Sequence, residues 1–159
     1  KEFNQIGSGL IMDFGTKEVI VLSAGHVCSS TDNFITENKK YKYNWTETIT
    51  VMNHEKKFFD GHVILSQPAS KKSADLCSIY IPSMNSESVV QKIKFSLSPP
   101  KIGEEVYYIG APAGIYHPPT ALIVKGIFSG KIDKFSSLAS VPGAPGASGS
   151  VILSMDNKV

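Results

Sequence analysis

The chain contains no arginine, and all 16 of its basic residues are lysines. Without a guanidinium group it cannot make the bidentate contacts by which proteins grip phosphates or read guanine edges. The formal net charge is only +2, and the paired lysines lie in polar stretches that are typical of solvated loops. We therefore expect no nucleic acid among the partners of this protein.

Long hydrophobic runs are also missing. A run such as Val19 to Leu22 falls far short of the roughly 18 apolar residues that a membrane-spanning helix needs. The opening stretch, KEFNQIGSG, lacks the apolar core of a secretory signal peptide. The sequence predicts no membrane segment, and its 42% hydrophobic and 19% charged residues are typical of a globular chain.

Cysteine is scarce, with only Cys28 and Cys77 in 159 residues. Two cysteines are too few for a disulfide framework, and their spacing matches no zinc-binding pattern. The residues leave two alternatives, a single bridge or two buried thiols. The triplet Asn44-Trp45-Thr46 could carry an N-linked glycan in a secreted protein, but it does not decide the compartment.

The chain does contain many β-rich runs of strand length, separated by turn-forming residues. Helical periodicity is confined to a weak candidate over Ser86 to Lys94 and a single turn within SAGHVCSS. The pattern predicts an all-β barrel or sandwich. The predicted strands are Ser8 to Met12, Glu18 to Leu22, Thr48 to Met52, His62 to Leu65, Leu76 to Ile81, Glu105 to Gly110, Leu122 to Phe128 and Ser150 to Leu153.

A polar segment that ends at Pro99-Pro100 divides these strands into two groups. We predict an N-terminal unit over residues 1–82, a linker over 83–98 and a C-terminal unit over 99–159.

The small-residue loop VPGAPGASGS surrounds Ser148 immediately before an apolar run. A nucleophilic serine needs an exposed hydroxyl and two nearby donors for the oxyanion formed when it attacks a carbonyl. The backbone amides of Gly146 and Ser148 could be those donors. Taken alone, the loop is more typical of a flexible turn.

A serine hydroxyl also needs a base, and His26 is the best candidate. It follows the strand EVIVLS in the segment LSAGHV, whose small residues let the chain turn tightly and present the imidazole. The other histidines have poorer settings: His54 in a charged turn, His62 at a strand start and His117 in a proline-rich loop. Viewed alone, His26 could instead be a structural histidine at a strand end.

The imidazole must be held in one tautomer by a carboxylate, and Asp75 fits that role. It stands where a polar stretch enters the apolar run LCSIYI, although a single aspartate there could simply terminate a turn. The order His26, Asp75, Ser148 differs from the orders used by the α/β-hydrolases and subtilisins and matches that of chymotrypsin. We therefore predict these three residues as a catalytic triad.

With these motifs in place, the chain resembles the chymotrypsin/trypsin-like serine peptidases, and most of all their bacterial heat-stress, phage and viral branch. The resemblance rests on GSGLIM, SAGHV and ADLCSIYI in the first half, and on VYYIGAPAG, VKGIFSG and GASGSVIL in the second. It implies two packed six-stranded antiparallel β-barrels, with His26 and Asp75 from the first and Ser148 from the second. It further implies that His26 is the general base, Asp75 orients it, Ser148 attacks, and the amides of Gly146 and Ser148 stabilise the oxyanion.

Two departures from the family pattern matter. Ala147 occupies the position where digestive members carry an aspartate that pairs with a newly formed N-terminus, so we expect an oxyanion loop that is preformed or ordered by substrate. The chain also reaches Val159 where the family has about two further strands, so we expect an incomplete second barrel: either the chain is truncated, or a further chain segment completes the barrel. The resemblance puts the floor of the specificity pocket near Pro142 and Gly143, which offer no carboxylate for a lysine side chain.

The resulting hypothesis is a serine endopeptidase that binds a polypeptide in extended form along a strand edge, with no metal or organic cofactor. One alternative is a catalytically silent domain that acts as a binding or assembly module, for example in a viral or phage protein. Another is a serine esterase on the same site. Because Cys28 and Cys77 each follow a triad residue by two positions, we expect both to be buried, with two thiols slightly favoured over a disulfide.

Overall fold

A computed structural model of the chain describes residues 5–13, 18–28, 48–67, 69–70, 72–84, 96, 98–117, 119–155 and 159. These residues form nine strands, one helical turn and one 3-10 turn, so the predicted all-β class is confirmed. None of the helices in these ranges is long and apolar enough to cross a membrane. The strands are β1 (Leu10–Asp13), β2 (Val19–Ser23), β3 (Ile49–Met52), β4 (Phe58–Gln67), β5 (Leu76–Ile81), β6 (Glu105–Gly110), β7 (Leu122–Lys131), β8 (Ser137–Ala139) and β9 (Val151–Ser154).

The first sheet has five strands in the order β1-β2-β5-β4-β3, and every pairing is antiparallel. Strands β2 and β5 lie at its centre, with Val19 opposite Ile81 and Ser23 opposite Cys77. This register sets the end of β2 beside the start of β5. The helical turn α1 (Gly25–Cys28) follows β2 directly, as SAGHVCSS predicted.

The core of the first sheet comes from strict alternation in its two central strands. Alternate residues of β2 and β5 are buried, as expected for strands that present one face to a core. Val19, Cys77 and Ile81 are fully buried. The core cluster consists of Val19, Val21, Cys28, Cys77, Ile79, Ile81 and Met84.

Cys28 and Cys77 are joined by a disulfide, with their Cα atoms 6.2 Å apart. The slight preference for two buried thiols was therefore wrong. The expectation that both are buried is confirmed, since Cys28 is 4% exposed and Cys77 is 0% exposed. The preference failed because α1 folds back onto the start of β5, and this long-range packing has no signature in the spacing of the cysteines.

The second sheet has four described strands in the order β8-β7-β6-β9, again antiparallel. Strand β6 pairs with β7 on one side and with β9 on the other, where Ile109 lies opposite Val151. The end of β6 therefore lies beside the start of β9. A 3-10 turn, Pro112–Gly114, follows β6 at this point.

All eight predicted strands are present. Strand β7 runs to Lys131, three residues beyond the predicted Phe128. Strand β4 runs from Phe58 to Gln67, well beyond the predicted His62 to Leu65, and contains a register shift between Val63 and Leu65. Strand β8 had not been predicted. The candidate helix and the glycosylation triplet lie outside the described residues, as does most of the linker, and the proposed domain boundaries stay a prediction.

Candidate active site

His26 lies in α1, three residues beyond the end of β2. The chain can turn there because position 25 is glycine: a Cβ atom at Gly25 would collide with the backbone carbonyl of Gln67 and lie 2.8 Å from Oδ1 of Asp75. The His26 side chain keeps 44% of its surface exposed. A tight turn against β4 thus presents the imidazole at an accessible edge of the first sheet.

Asp75 immediately precedes β5, and its two oxygens hold His26 at two points. Oδ1 accepts a hydrogen bond from the backbone N–H of His26 at 2.9 Å, and Oδ2 lies 2.5 Å from Nδ1 of the ring. An ionised carboxylate can only accept hydrogen bonds, so this contact places the ring proton on Nδ1. The lone pair of the neutral ring is then on Nε2.

Ser148 completes the cluster from the second half of the chain. Its Oγ lies 2.7 Å from Nε2 of His26, within hydrogen-bond distance. With the proton on Nδ1, the serine hydroxyl donates to Nε2. The structure therefore brings all three residues of the predicted triad together, with His26 lying between Asp75 and Ser148.

The loop that carries Ser148 is built from tight turns. Ala147 N–H donates to the carbonyl of Ala144, and Ser150 N–H donates to that of Ala147, both at 2.9 Å. Gly146 and Gly149 have φ values of 87° and 83°, a region that side chains disfavour. The two glycines of GASGS thus adopt backbone conformations that other residues rarely take.

The amides of Gly146 and Ser148, predicted to bind an oxyanion, donate to no acceptor within the described part of the chain. Most backbone N–H groups in a folded protein are paired, so two unpaired donors two residues apart, beside a histidine-bound serine, are available to an anion. This is the arrangement that a developing negative charge on a carbonyl oxygen requires.

Ser8, which the sequence pattern places only in the first strand, also belongs to this cluster. The structure places it just before β1, where its backbone N–H donates to the carbonyl of Ser148 at 2.7 Å. Its Oγ donates to the carbonyl of Gly146 at 2.8 Å and accepts from the N–H of Ala111 at 3.0 Å. The sole sequence signal was a hydroxyl between two glycines, which is a weak one.

The other histidines lie away from this cluster. His54 is in the turn between β3 and β4, and His62 is an exposed residue within β4. His117 forms an isolated bridge with Thr120. The choice of His26 as the candidate base therefore agrees with the geometry.

A family model for the trypsin-like peptidase domain matches residues 7–159. The chain belongs to this family. The match covers almost the whole chain and includes both halves of the candidate site. The resemblance to chymotrypsin/trypsin-like serine peptidases is confirmed.

Among solved structures, the trypsin-like peptidase domain is similar to a serine endoprotease from Yersinia pestis, with a TM-score of 0.68 and 19% sequence identity. The similarity covers 99% of this chain and 47% of the Yersinia chain, so the chain spans about half the length of that protein. At this identity the likeness establishes the fold, and it confirms the chymotrypsin-like double-barrel class. A search of curated proteins found no match.

Proposed function

We propose that this trypsin-like peptidase domain is a serine endopeptidase that hydrolyses peptide bonds through an acyl-enzyme. The observation that carries the proposal is the pair of contacts on opposite nitrogens of His26: Asp75 at 2.5 Å on Nδ1 and Ser148 at 2.7 Å on Nε2. This geometry suits a base that removes a proton from the Ser148 hydroxyl at Nε2 while the Asp75 carboxylate at Nδ1 stabilises the positive charge formed on the ring.

In the first half-reaction, Oγ of Ser148 attacks the carbonyl carbon as its proton passes to Nε2 of His26. The carbonyl oxygen becomes an oxyanion, which the amides of Gly146 and Ser148 stabilise. Collapse of this intermediate breaks the C–N bond, and His26 returns the proton to the leaving amine. The acyl group is left on Ser148 as an ester.

In the second half-reaction, water replaces the amine. His26 takes a proton from water as it attacks the ester, and collapse releases the carboxylic acid and restores the Ser148 hydroxyl. Asp75 remains ionised throughout, holding the ring and stabilising the imidazolium. No step in this sequence calls for a metal or an organic cofactor.

The proposed substrate is a polypeptide bound in extended form, with backbone hydrogen bonds to a strand edge. That a further chain segment completes the second barrel is a prediction. The identity of the preferred side chain is best found with a peptide library, since Pro142 and Gly143 give only the negative expectation that lysine is not favoured.

A fluorophosphonate probe, which reacts with activated serine hydroxyls, tests the proposal. We expect labelling of the wild type and none of Ser148→Ala. Ser150→Ala is the matched control, because it removes a neighbouring hydroxyl that accepts no hydrogen bond in the described part of the chain and should keep labelling. A folded wild type that takes no label would favour the silent binding module, whereas labelling with hydrolysis of esters alone would favour the esterase.

A further inference from the structure

Ser8 joins both halves of the site through four hydrogen bonds. On the side of the second sheet it contacts Ser148, Gly146 and Ala111 as described above. On the side of the first sheet, its carbonyl accepts a hydrogen bond from Oγ of Ser23 at 2.7 Å. Ser23 is buried at the end of β2, three residues before His26. A single residue thus connects the strand that precedes His26 to the loop of the proposed nucleophile.

The two hydrogen bonds that flank Gly146 determine how its amide is oriented. The carbonyl of Pro145 accepts from the N–H of Ala113 at 2.6 Å, and the carbonyl of Gly146 itself accepts from Oγ of Ser8. A peptide unit is planar, and in its trans form the N–H points away from the C=O. Fixing the Pro145 carbonyl therefore directs the Gly146 N–H to the opposite side, away from Ala113.

The second hydrogen bond fixes the peptide unit on the other side of the Gly146 Cα atom. Glycine can rotate through many backbone conformations, and its φ of 87° is held only if both flanking peptide units are restrained. Without the Ser8 hydroxyl, the unit between Gly146 and Ala147 would keep the hydrogen bond from its N–H to the carbonyl of Ala144 but would lose the restraint on its carbonyl oxygen. The amide donor of Gly146 would then occupy a wider range of directions.

We propose that Ser8 is a positioning residue that keeps the Gly146 amide oriented for oxyanion binding before substrate arrives. The inference rests on the proposed peptidase function. Ser8 does not touch the reacting atoms, and it acts through the peptide unit of Gly146. The network would give this chain, which has Ala147 in place of an activating aspartate, a preformed oxyanion loop without a cleaved N-terminus.

The test compares Ser8→Ala with the wild type on a fluorogenic peptide chosen from the library. Removing one oxyanion donor costs about 100- to 1,000-fold in kcat, so loosening its orientation should cost less, about tenfold, with KM within about twofold. A peptide aldehyde of the same sequence forms a tetrahedral adduct whose oxygen lies at the oxyanion position. Its inhibition constant should rise by about the same factor as kcat falls.

Ser8→Thr keeps the hydroxyl and should restore kcat to within about threefold of the wild type. Ser140→Ala is the matched control: it removes an exposed hydroxyl that accepts a hydrogen bond from the N–H of Ile127 at 2.9 Å, and it should leave kcat unchanged. The pH profile of kcat/KM should keep its shape in Ser8→Ala. If Ser8→Ala is unfolded by circular dichroism, Ser8→Cys, with a similar volume and a weak donor, replaces it with the same expected loss.

The inference is overturned if a folded Ser8 variant retains wild-type kcat and aldehyde affinity. It is also overturned if kcat falls but aldehyde affinity does not, or if the pH profile shifts, because either result would mean a general structural role. A folded wild type that neither takes the probe nor cleaves any peptide would overturn the proposed function and this inference together. If the wild type is active, the proposed function stands, and the results for the Ser8 variants test this inference alone.

Discussion

The two sheets position their share of the candidate site by different means. In the first, His26 and Asp75 lie next to the central strands β2 and β5, whose alternate side chains form a buried core. In the second, Ser148 lies on a loop, and the buried hydrophobic residues among those described are Val106, Tyr108, Phe128 and Leu153. Many large apolar side chains of the second sheet are exposed, including Ile123 at 61% and Leu138 at 56%.

The difference shows that the base and the nucleophile depend on different parts of the molecule. The pair His26 and Asp75 is fixed by a core and by the disulfide between Cys28 and Cys77. The loop of Ser148 depends on individual hydrogen bonds from Ser8 and Ala113. We expect substitutions in the buried core of the first sheet to change stability, and substitutions that break hydrogen bonds around the Ser148 loop to change catalysis while the fold survives.

The largest expected effect is on catalysis, from Asp75→Asn. An asparagine NH₂ group would donate to Nδ1 of His26, which would move the ring proton to Nε2 and leave no base facing Ser148. A loss of about 10⁴-fold in kcat is expected, as for the equivalent change in a triad of this kind. Steady-state peptide hydrolysis measures it, and a loss below tenfold in a folded variant would contradict the assigned role of Asp75.

The disulfide should account for the next largest effect. Replacing Cys28 and Cys77 with serine removes a cross-link between residues 49 apart in sequence, and chain entropy predicts a loss of about 4 kcal/mol in the free energy of unfolding. Urea denaturation measures this change. Dithiothreitol should lower the stability of the wild type but have no effect on the double variant. An equal response in both would mean that the disulfide does not stabilise the first sheet.

A pair of isoleucines contrasts a buried position in the first sheet with an exposed position in the second. Ile81 in β5 is fully buried, whereas Ile123 in β7 is 61% exposed. Ile81→Ala should cost about 2–5 kcal/mol in the free energy of unfolding, because it removes packed methyl groups and leaves a cavity. Ile123→Ala should cost about 0.5 kcal/mol or less. Equal losses in urea denaturation would mean that Ile123 is packed as tightly as Ile81.

The smallest effect concerns Tyr116, which follows the 3-10 turn on the side of the second sheet. Burial raises the pKa of its phenol above the ordinary value of 10.0. The folded protein holds the phenol proton more tightly than the unfolded chain does. The stabilisation that Tyr116 contributes is therefore complete below about pH 10 and is lost as the pH rises through the raised pKa of the folded state. Tyr116→Phe should flatten the alkaline end of a plot of urea midpoint against pH. An unchanged slope there would show that Tyr116 does not contribute.

The sequence was a good guide to strands that have their own apolar pattern. Strand β2 is a continuous apolar run and β5 is rich in apolar residues, and their predicted spans nearly coincide with the observed ones. Strand β8 has only three residues, too few for a sequence pattern to be detected. It is defined by its pairing with Phe128, Gly130 and Lys131 of β7, which exists only in the folded chain. The extension of β4 likewise depends on partners at both of its edges.

The candidate site divides in the same way. The order of His26, Asp75 and Ser148 could be predicted, because each lies at the end of a recognisable strand or in a distinctive small-residue loop. Ser8 could not, because the hydrogen bond that gives it importance joins residues 138 positions apart. The bond between Cys28 and Cys77 was missed for the same reason, since a Cα separation of 6.2 Å arises only when the chain has folded.

The disulfide also determines what would follow if the chain were cut. A single break anywhere between residues 29 and 76 would produce two pieces, one with His26 and the other with Ser148, that remain covalently linked through Cys28 and Cys77. A peptidase that nicked itself within this stretch would migrate as one molecule until it was reduced. Because the link lies two residues beyond both His26 and Asp75, the nicked form would keep this pair tethered together.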